Sequence, residues 1–168
     1  MGKNIVLIGM MGCGKTTVGR LLSRRLSLPL TDTDALVEER AGCAIRDIFR
    51  DYGEGRFRDW EWLVSKELSG RSGLVIACGG GLPLQEEAMA FLKRSGTVFW
   101  LDRDPGETYD SLDTSGRPLA QAGREEFIRL YRDRAPVYRR WADHLVRAKS
   151  PQAAAALIDA IYTEVSHP

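Results

Sequence analysis

Short uninterrupted apolar blocks alternate along the chain with longer stretches in which apolar residues recur every three or four positions. Asn4-Ile5-Val6-Leu7-Ile8 is the first block, rich in β-branched residues and stopped by Gly9. An apolar run with no polar alternation predicts a strand covered on both faces. From Thr16 the period changes, and Val18, Leu21, Leu22 and Leu26 form a helical stripe that ends before Pro29. A second strand is predicted over 28–31, followed by polar helical segments over about 34–40, 44–50 and 54–68. The blocks 74–77 and 97–101 predict the third and fourth strands, with a helix around 86–93 between them. A short helix over 105–112 is entered through Asp104 as its cap, and residues 113–123, full of turn formers, predict a mobile surface loop. Phe127, Leu130, Tyr131, Val137, Tyr138 and Trp141 mark a long helix that Pro136 should kink or release from regular bonding. A fifth strand at 144–146 and a final helix over 151–165 complete the pattern. Apolar strands alternating with helices imply an α/β fold built on a parallel sheet covered on both sides. No repeat, low-complexity tract or linker divides the chain, so residues 1–168 read as one domain.

Charge narrows the choice of partner. Across 168 residues, Lys+Arg 24 against Asp+Glu 23 leaves a formal net charge of +1, which argues against nucleic acid or an anionic membrane as partner. The basic residues are nonetheless skewed, with 19 arginines and five lysines. Codon usage accounts for most of that bias, but a guanidinium fork also suits carboxylate and phosphate. Cys13, Cys43 and Cys78 are odd in number and widely spaced, which fits a reducing compartment better than a disulfide framework or a zinc site. No apolar run approaches the roughly 20 residues that span a bilayer, and 5–8 is too short for a signal-peptide core. The expectation is a cytoplasmic monomer.

The strongest chemical signal is Gly9-Met10-Met11-Gly12-Cys13-Gly14-Lys15-Thr16, which fits G-x-x-x-x-G-K-[ST] between a buried strand and an amphipathic helix. Glycines let the backbone curl so that successive N–H groups point at a phosphate, and the helix N-terminus adds partial positive charge. Gly12, Cys13, Gly14, Lys15, Thr16 and Thr17 are the candidate nucleotide contacts. Lys15 is placed to reach the β- and γ-phosphates of ATP, and the Thr16 hydroxyl to complete a Mg2+ shell. Cys13 reads as a small loop residue rather than an activated thiol. A guanine-reading N-K-x-D is absent, and Asp113-Thr114-Ser115-Gly116 imitates D-x-x-G in a polar loop without a strand before it. Val98-Phe99-Trp100-Leu101-Asp102 imitates a Walker B strand, while Asp32-Thr33-Asp34 competes for the same metal role. A small-molecule kinase fits these features best.

Further segments carry a family likeness. The phosphate loop, Asp32-Thr33-Asp34, Phe57-Arg58-Asp59-Trp60-Glu61, Gly79-Gly80-Gly81, Arg117-Pro118-Leu119 and Arg134-Ala135-Pro136-Val137-Tyr138 together resemble the shikimate kinase family, in order, from Asn4 to about Ala142. The resemblance implies a P-loop fold like that of nucleoside monophosphate kinases: a five-stranded parallel sheet of order 2-3-1-4-5, with a substrate-binding region over about 33–61 and a mobile lid over about 112–124. It implies transfer of the ATP γ-phosphoryl group to the 3-hydroxyl of shikimate in aromatic amino-acid biosynthesis. On the same likeness, Arg58 and Arg134 grip the substrate carboxylate, and Glu61, three residues from Arg58 on a helix, orients it. Asp34 meets the reacting hydroxyl, as base or as orienter, and Asp32 lies on the metal side. Gly79, Gly80 and Gly81 let the backbone approach the substrate, with the Gly80 N–H against it, and Arg117 comes onto the phosphates as the lid closes. The catalytic set is then Lys15, Asp34 and Arg117. The chain departs from the family pattern in three places: no additional arginine precedes the lid, Ala120 follows Arg117-Pro118-Leu119, and Arg147 stands where an aspartate is common. Lys149 and Pro151 are the adenine-side candidates. A gluconate or nucleotide kinase of the same fold, or a non-catalytic nucleotide-binding module, are the other readings open to these residues.

Overall fold

The apolar blocks form strands β1 (Asn4–Ile8), β2 (Leu30–Asp32), β3 (Val75–Ala77), β4 (Gly96–Leu101) and β5 (His144–Val146) in the computed structural model, which describes residues 3–115 and 118–166. They pair in parallel in the order β2-β3-β1-β4-β5, as the resemblance implies. The helices are α1 (Lys15–Leu26), α2 (Thr33–Ala41), α3 (Ile45–Ser69), α4 (Glu86–Ser95), α5 (Pro105–Asp110), α6 (Pro118–Gln121), α7 (Arg124–Trp141) and α8 (Pro151–Ser166). Among the described residues no helix is long and apolar enough to cross a membrane.

Strand alternation sorts the core into two layers, because successive side chains leave opposite faces of a sheet. Ile5 and Leu7 of β1 join Val75, Phe99 and Leu101 under Val18 and Leu22 of α1 and Ala155 and Ile158 of α8. Val6 and Ile8 join Ile76, Val98 and Trp100 under Val37, Val64, Leu68, Met89, Leu92, Phe127 and Tyr138, from α2, α3, α4 and α7. Strands β1, β3 and β4, covered on both faces, carry no polar alternation and read as continuous apolar blocks, while the edge strands β2 (Leu30–Asp32) and β5 (His144–Val146) are only partly covered and carry polar residues.

The differences from expectation are local. Strand β2 begins at Leu30, two positions later than the pattern suggests. The two helical segments expected over 44–50 and 54–68 form α3, interrupted where Gly53 adopts φ 82 and ψ 175. Inside the expected loop 113–123 the chain makes the single-turn helix α6. Pro136 does not end α7, which continues to Trp141. Pro136 and Arg132 both lie on the exposed side of α7, so the carbonyl that loses its helical donor meets water. Cys13, Cys43 and Cys78 are all free.

The order places β1 at the centre with β3 on one side and β4 on the other, so chain connections leave it in opposite directions. Ligands of open parallel sheets bind in the crevice beyond the carboxyl ends of the strands at such a reversal. Four sequence signals leave the sheet there: the phosphate loop after β1, Asp32-Thr33-Asp34 after β2, the triglycine after β3 and the Asp102 segment after β4.

Candidate active site

The phosphate loop turns directly into α1, whose N-cap is Gly14 at φ 101 and ψ 14. A Cβ at Gly14 would meet no atom within 4 Å, so the glycine serves the left-handed backbone itself rather than a close approach. Lys15 and Thr16 are the first two residues of the helix, where N–H groups lack intrahelical acceptors. The Lys15 ammonium donates to the carbonyls of Gly9 (2.6 Å) and Met10 (2.8 Å) and lies 3.8 Å from Cys13 Sγ, across the mouth of the loop. Thr17 is exposed at the start of the helix, and Gly12 is exposed beneath Leu112 and Thr108, whose side chains a Cβ at Gly12 would approach to 2.6 and 3.4 Å.

Asp32 divides its two oxygens between tasks. Oδ1 caps α2 by accepting from the Asp34 N–H (2.9 Å) and the Ala35 N–H (3.2 Å), so the cap belongs to Asp32 and not to Asp34. Oδ2 accepts the Thr16 hydroxyl at 3.3 Å, which brings one hydroxyl and one carboxylate together beside the phosphate loop. That pair suits a Mg2+ ion held through one or two protein oxygens together with substrate phosphates and water. Among the described residues no group of three or more His, Cys, Asp or Glu comes together to form an all-protein metal cage. Asp102, the rival metal carboxylate, is committed elsewhere: Oδ1 accepts the Tyr131 hydroxyl (2.7 Å) and Oδ2 the Arg147 Nε (2.9 Å).

Asp34, freed from capping, points at the triglycine. A Cβ at Gly79 would lie 2.5 Å from Asp34 Oδ1, so only glycine leaves room for that carboxylate. The Gly79 N–H donates to the buried Thr33 hydroxyl (2.8 Å), which ties the loop after β3 to the start of α2. Burial, and then the neighbouring Asp32 charge, pushes the Asp34 carboxyl up to about 6, with Lys15 pulling the other way. A carboxylate poised near neutrality in a cleft is suited to accept a proton.

Two guanidiniums converge on the other end of the same loop. A Cβ at Gly81 would lie 3.1 Å from Arg58 Nη1 and 3.6 Å from Arg134 Nη2, and one at Gly80 would lie 3.3 Å from Arg134 Nη1 and 3.4 Å from the Met11 N. The triglycine therefore lies between the phosphate loop and both arginines. Arg58 Nη1 donates to Glu61 Oε2 (3.0 Å) and Oε1 (3.3 Å), as the i,i+3 spacing predicts, and Nη2 reaches the exposed Glu54 at 3.1 Å. Glu61 is 1% exposed, and burial pushes its carboxyl up to about 7 against the pull of Arg58.

Arg134 is in a different position. It is 6% exposed, its Nε has no hydrogen-bond partner, and among the described residues no carboxylate lies within 4.0 Å of it. A buried uncompensated cation is costly and calls for an anion. Tyr138, one turn further along α7, donates its hydroxyl to the Gly80 carbonyl (2.7 Å). Burial holds that phenol up to about 12, so it remains a donor.

Of the residues expected from the sequence, Lys15, Thr16, Asp32, Asp34, Arg58, Gly79, Gly80, Gly81 and Arg134 are brought together around one crevice. Arg117 lies outside the described residues, so its role as lid cation has no geometry here. Of the two adenine-side candidates, Lys149 lines an open groove of about 620 Å³ with Asp102, Arg103, Pro105, Tyr131 and Arg147, and Pro151 opens α8. Arg147 is held there by Asp102. Thr33, Gln85 and Tyr138 also hydrogen-bond to residues around the crevice and were not singled out by the sequence as site residues. Tyr138 alone had a local signal, lying four residues from Arg134 on one helix face.

Comparison with known proteins agrees with this geometry. The profile of the family described as shikimate kinase matches residues 11–165. Shikimate kinase of Clostridium beijerinckii is 38% identical over 147 residues, covering 88% of this chain and 86% of its own length. That of Ralstonia nicotianae is 40% identical over 154 residues, covering 90% and 81%. Among solved structures, shikimate kinase from Acinetobacter baumannii in complex with shikimate superposes with a TM-score of 0.91 at 32% identity, covering 100% of this chain and 97% of that one.

Proposed function

The chain belongs to the shikimate kinase family, and from that premise we propose that it transfers the γ-phosphoryl group of ATP to the 3-hydroxyl of shikimate, forming shikimate 3-phosphate and ADP. The observation that carries the proposal is the buried Arg134, without a carboxylate partner among the described residues, facing Arg58 across Gly81. Two cationic forks at one end of a crevice suit a small carboxylate, and a poised carboxylate at the other end suits a hydroxyl. With a near-neutral net charge, attraction of the substrates falls to local sites, these forks and the phosphate loop, rather than to a general field.

In this reading Arg58 and Arg134 bind the shikimate carboxylate and Asp34 accepts or orients the proton of the attacking hydroxyl. The new bond joins that oxygen to the γ-phosphorus, the bond from γ-phosphorus to the β,γ-bridging oxygen breaks, and ADP leaves. Lys15 releases the carbonyls of Gly9 and Met10 to meet the β- and γ-phosphates, while the α1 N-terminus and loop N–H groups hold the β-phosphate. Thr16 and Asp32 would hold Mg2+, whose contribution is to neutralise charge between the β- and γ-oxygens. Arg117, in a lid over about 112–124, would add positive charge on closure and exclude water. The region over about 33–61 receives shikimate, and residues 1–168 act as one domain. A cytoplasmic monomer that binds neither nucleic acid nor membrane is consistent with the composition.

A coupled ADP-release assay with a substrate panel tests the proposal. Mg2+-dependent ADP release with shikimate is the expected result. Preference for gluconate or a nucleoside monophosphate, or ATP binding without shikimate-dependent turnover, would overturn it.

A further inference from the structure

Helix α4 begins at Gln85, a position whose side chain commonly caps its own helix by accepting from the first free N–H groups. Here it makes no cap. Its amide Nε2 instead crosses to α3 and donates to Glu61 Oε2, the oxygen that also accepts Arg58 Nη1 at 3.0 Å. Gln85 is 24 residues from Glu61 in sequence, and its own backbone is pinned by the short 3-10 turn Leu82–Leu84: its N–H donates to the Leu82 carbonyl (2.9 Å) and its carbonyl accepts from the Met89 N–H (3.0 Å). That turn follows directly on the triglycine, with Leu82 N–H donating to the Gly79 carbonyl at 3.1 Å. The amide is therefore delivered to Glu61 from the same rigid segment that shapes the crevice.

We propose that Gln85 is a positioning residue for the acceptor site: its amide orients the buried Glu61 carboxylate so that Arg58 rests on it with its fork directed at the triglycine. The inference rests on the reading of Arg58 as a substrate-carboxylate clamp.

Arg58 holds two carboxylates at once, Nη1 on Glu61 and Nη2 on Glu54. It has two carboxylate partners, Glu61 with 2% of its side chain exposed and Glu54 with 67% exposed. With both contacts made, the two Nη atoms lie over Gly81; without the buried Glu61, the exposed Glu54 is the carboxylate left to hold Arg58. Glu61 competes for Arg58 only while ionised, and burial works against ionisation. The charged groups that face it are Arg58 on its own helix, Asp34 from α2, which opposes its charge, and Arg134 from α7, which meets Arg58 over Gly81. From α4 the neutral Gln85 supplies the hydrogen bond, while the Glu87 carboxylate is turned to the Trp62 Nε1–H at 3.0 Å. The amide donor and the guanidinium donor both favour the anion against burial, so that the carboxyl sits at about 7 and is ionised over the range from pH 7 to pH 9. Removing the amide leaves the buried carboxylate short of a donor, so it takes up a proton at a higher pH and Arg58 is left to Glu54.

The test is Gln85→Met, which keeps length and removes the donor, assayed for shikimate KM, ATP KM and kcat from pH 7 to pH 9 beside the parent. The expected result is a shikimate KM raised about 10-fold at pH 7, with ATP KM and kcat within about 2-fold, and a defect that closes as Glu61 ionises toward pH 9. A shikimate KM unchanged at pH 7, or raised by the same factor at both pH values as simple damage would give, overturns the proposal. Gln85→Glu supplies a second, opposite readout. Its protonated carboxyl can donate to Glu61 as the amide does, so its defect must grow as pH rises, and a flat ratio overturns the proposal even where Gln85→Met does not fold. Arg58→Ala separates the two readings. If it leaves shikimate KM unchanged the clamp itself is wrong; if it raises KM while Gln85→Met does not, only the role of Gln85 is lost.

Discussion

Asp34 and Arg134 both sit in environments that oppose their charge, and the proposed reaction gives each of those costs a use. Burial and Asp32 hold the Asp34 carboxyl up at about 6, so it can take a proton from a hydroxyl at neutral pH and is already protonated below that value. Asp34→Asn, which keeps the shape and removes the base, is expected to lower kcat by on the order of 10²-fold in the coupled assay. Near-normal turnover would reduce Asp34 to an orienting group. For the parent enzyme, kcat/KM should fall as pH drops through about 6, because the ionised fraction of Asp34 is lost there. Arg134 carries the opposite trade. Its guanidinium is buried without a carboxylate, so Arg134→Met removes an uncompensated charge and should leave the substrate-free protein as stable as before or more stable, by about 0 to 2 kcal/mol. Shikimate affinity should fall at least about 100-fold in the same variant, as loss of a charged fork and its hydrogen bonds implies. Urea denaturation and calorimetric titration give the two numbers, and a variant that is both destabilised and binding-competent would contradict the assignment.

Elements decide how far these side chains can reach. Helix α3 carries Arg58 and Glu61 on its second part, and the direction of that part is set where Gly53 breaks the helix at φ 82 and ψ 175. That region is open essentially to glycine alone, and a Cβ there would meet no atom within 4 Å, so the constraint is purely one of backbone. Gly53→Ala should therefore cost about 1 to 3 kcal/mol by denaturation without any packing change, and should raise shikimate KM by redirecting Arg58. A neutral effect on stability would mean that the break tolerates a side chain. On the other side of the crevice α7 holds Arg134 and Tyr138 one turn apart, and Tyr138 donates to Gly80. The helix can carry Pro136 between them because the unbonded carbonyl falls on the wet face, leaving the buried face continuous. Helix α2 contributes by its start: Asp32 caps it, which leaves Asp34 free to face Gly79.

For the whole molecule, gathering carboxylates into one crevice makes stability depend on pH. Asp34 and Glu61 have ordinary values of 3.8 and 4.5 and rise to about 6 and about 7 on folding, so between about pH 4 and pH 7 the folded chain holds more protons than the unfolded one. Stability from these two groups is fully present below about pH 4 and is lost as pH rises through 6 to 7, by on the order of 3 kcal/mol for each. Asp51, Glu67 and Asp143 are shifted downward and act with the opposite sign at lower pH. Urea unfolding of the substrate-free protein at pH 5.5 and pH 8 should show greater stability at the lower value, and Glu61→Gln should flatten the difference. A steeper dependence in that variant would count against the buried-carboxylate account. Much of this architecture was legible along the chain. Apolar blocks separated by helical stripes specify a parallel sheet because strands covered on both faces need no polar alternation, and G-x-x-x-x-G-K-[ST] specifies a phosphate cradle because only that glycine spacing lets the backbone N–H groups converge. The i,i+3 pairing of Arg58 with Glu61 was equally readable, since helix geometry makes those positions neighbours. Three matters needed the folded chain: the commitment of Asp102 to Tyr131 and Arg147, the meeting of Arg58 and Arg134 over Gly81, and the delivery of Gln85 to Glu61. Each joins groups from different elements, and each turns on burial and on which polar partners are already taken; local periodicity carries neither quantity, because both arise only when the strands and helices pack.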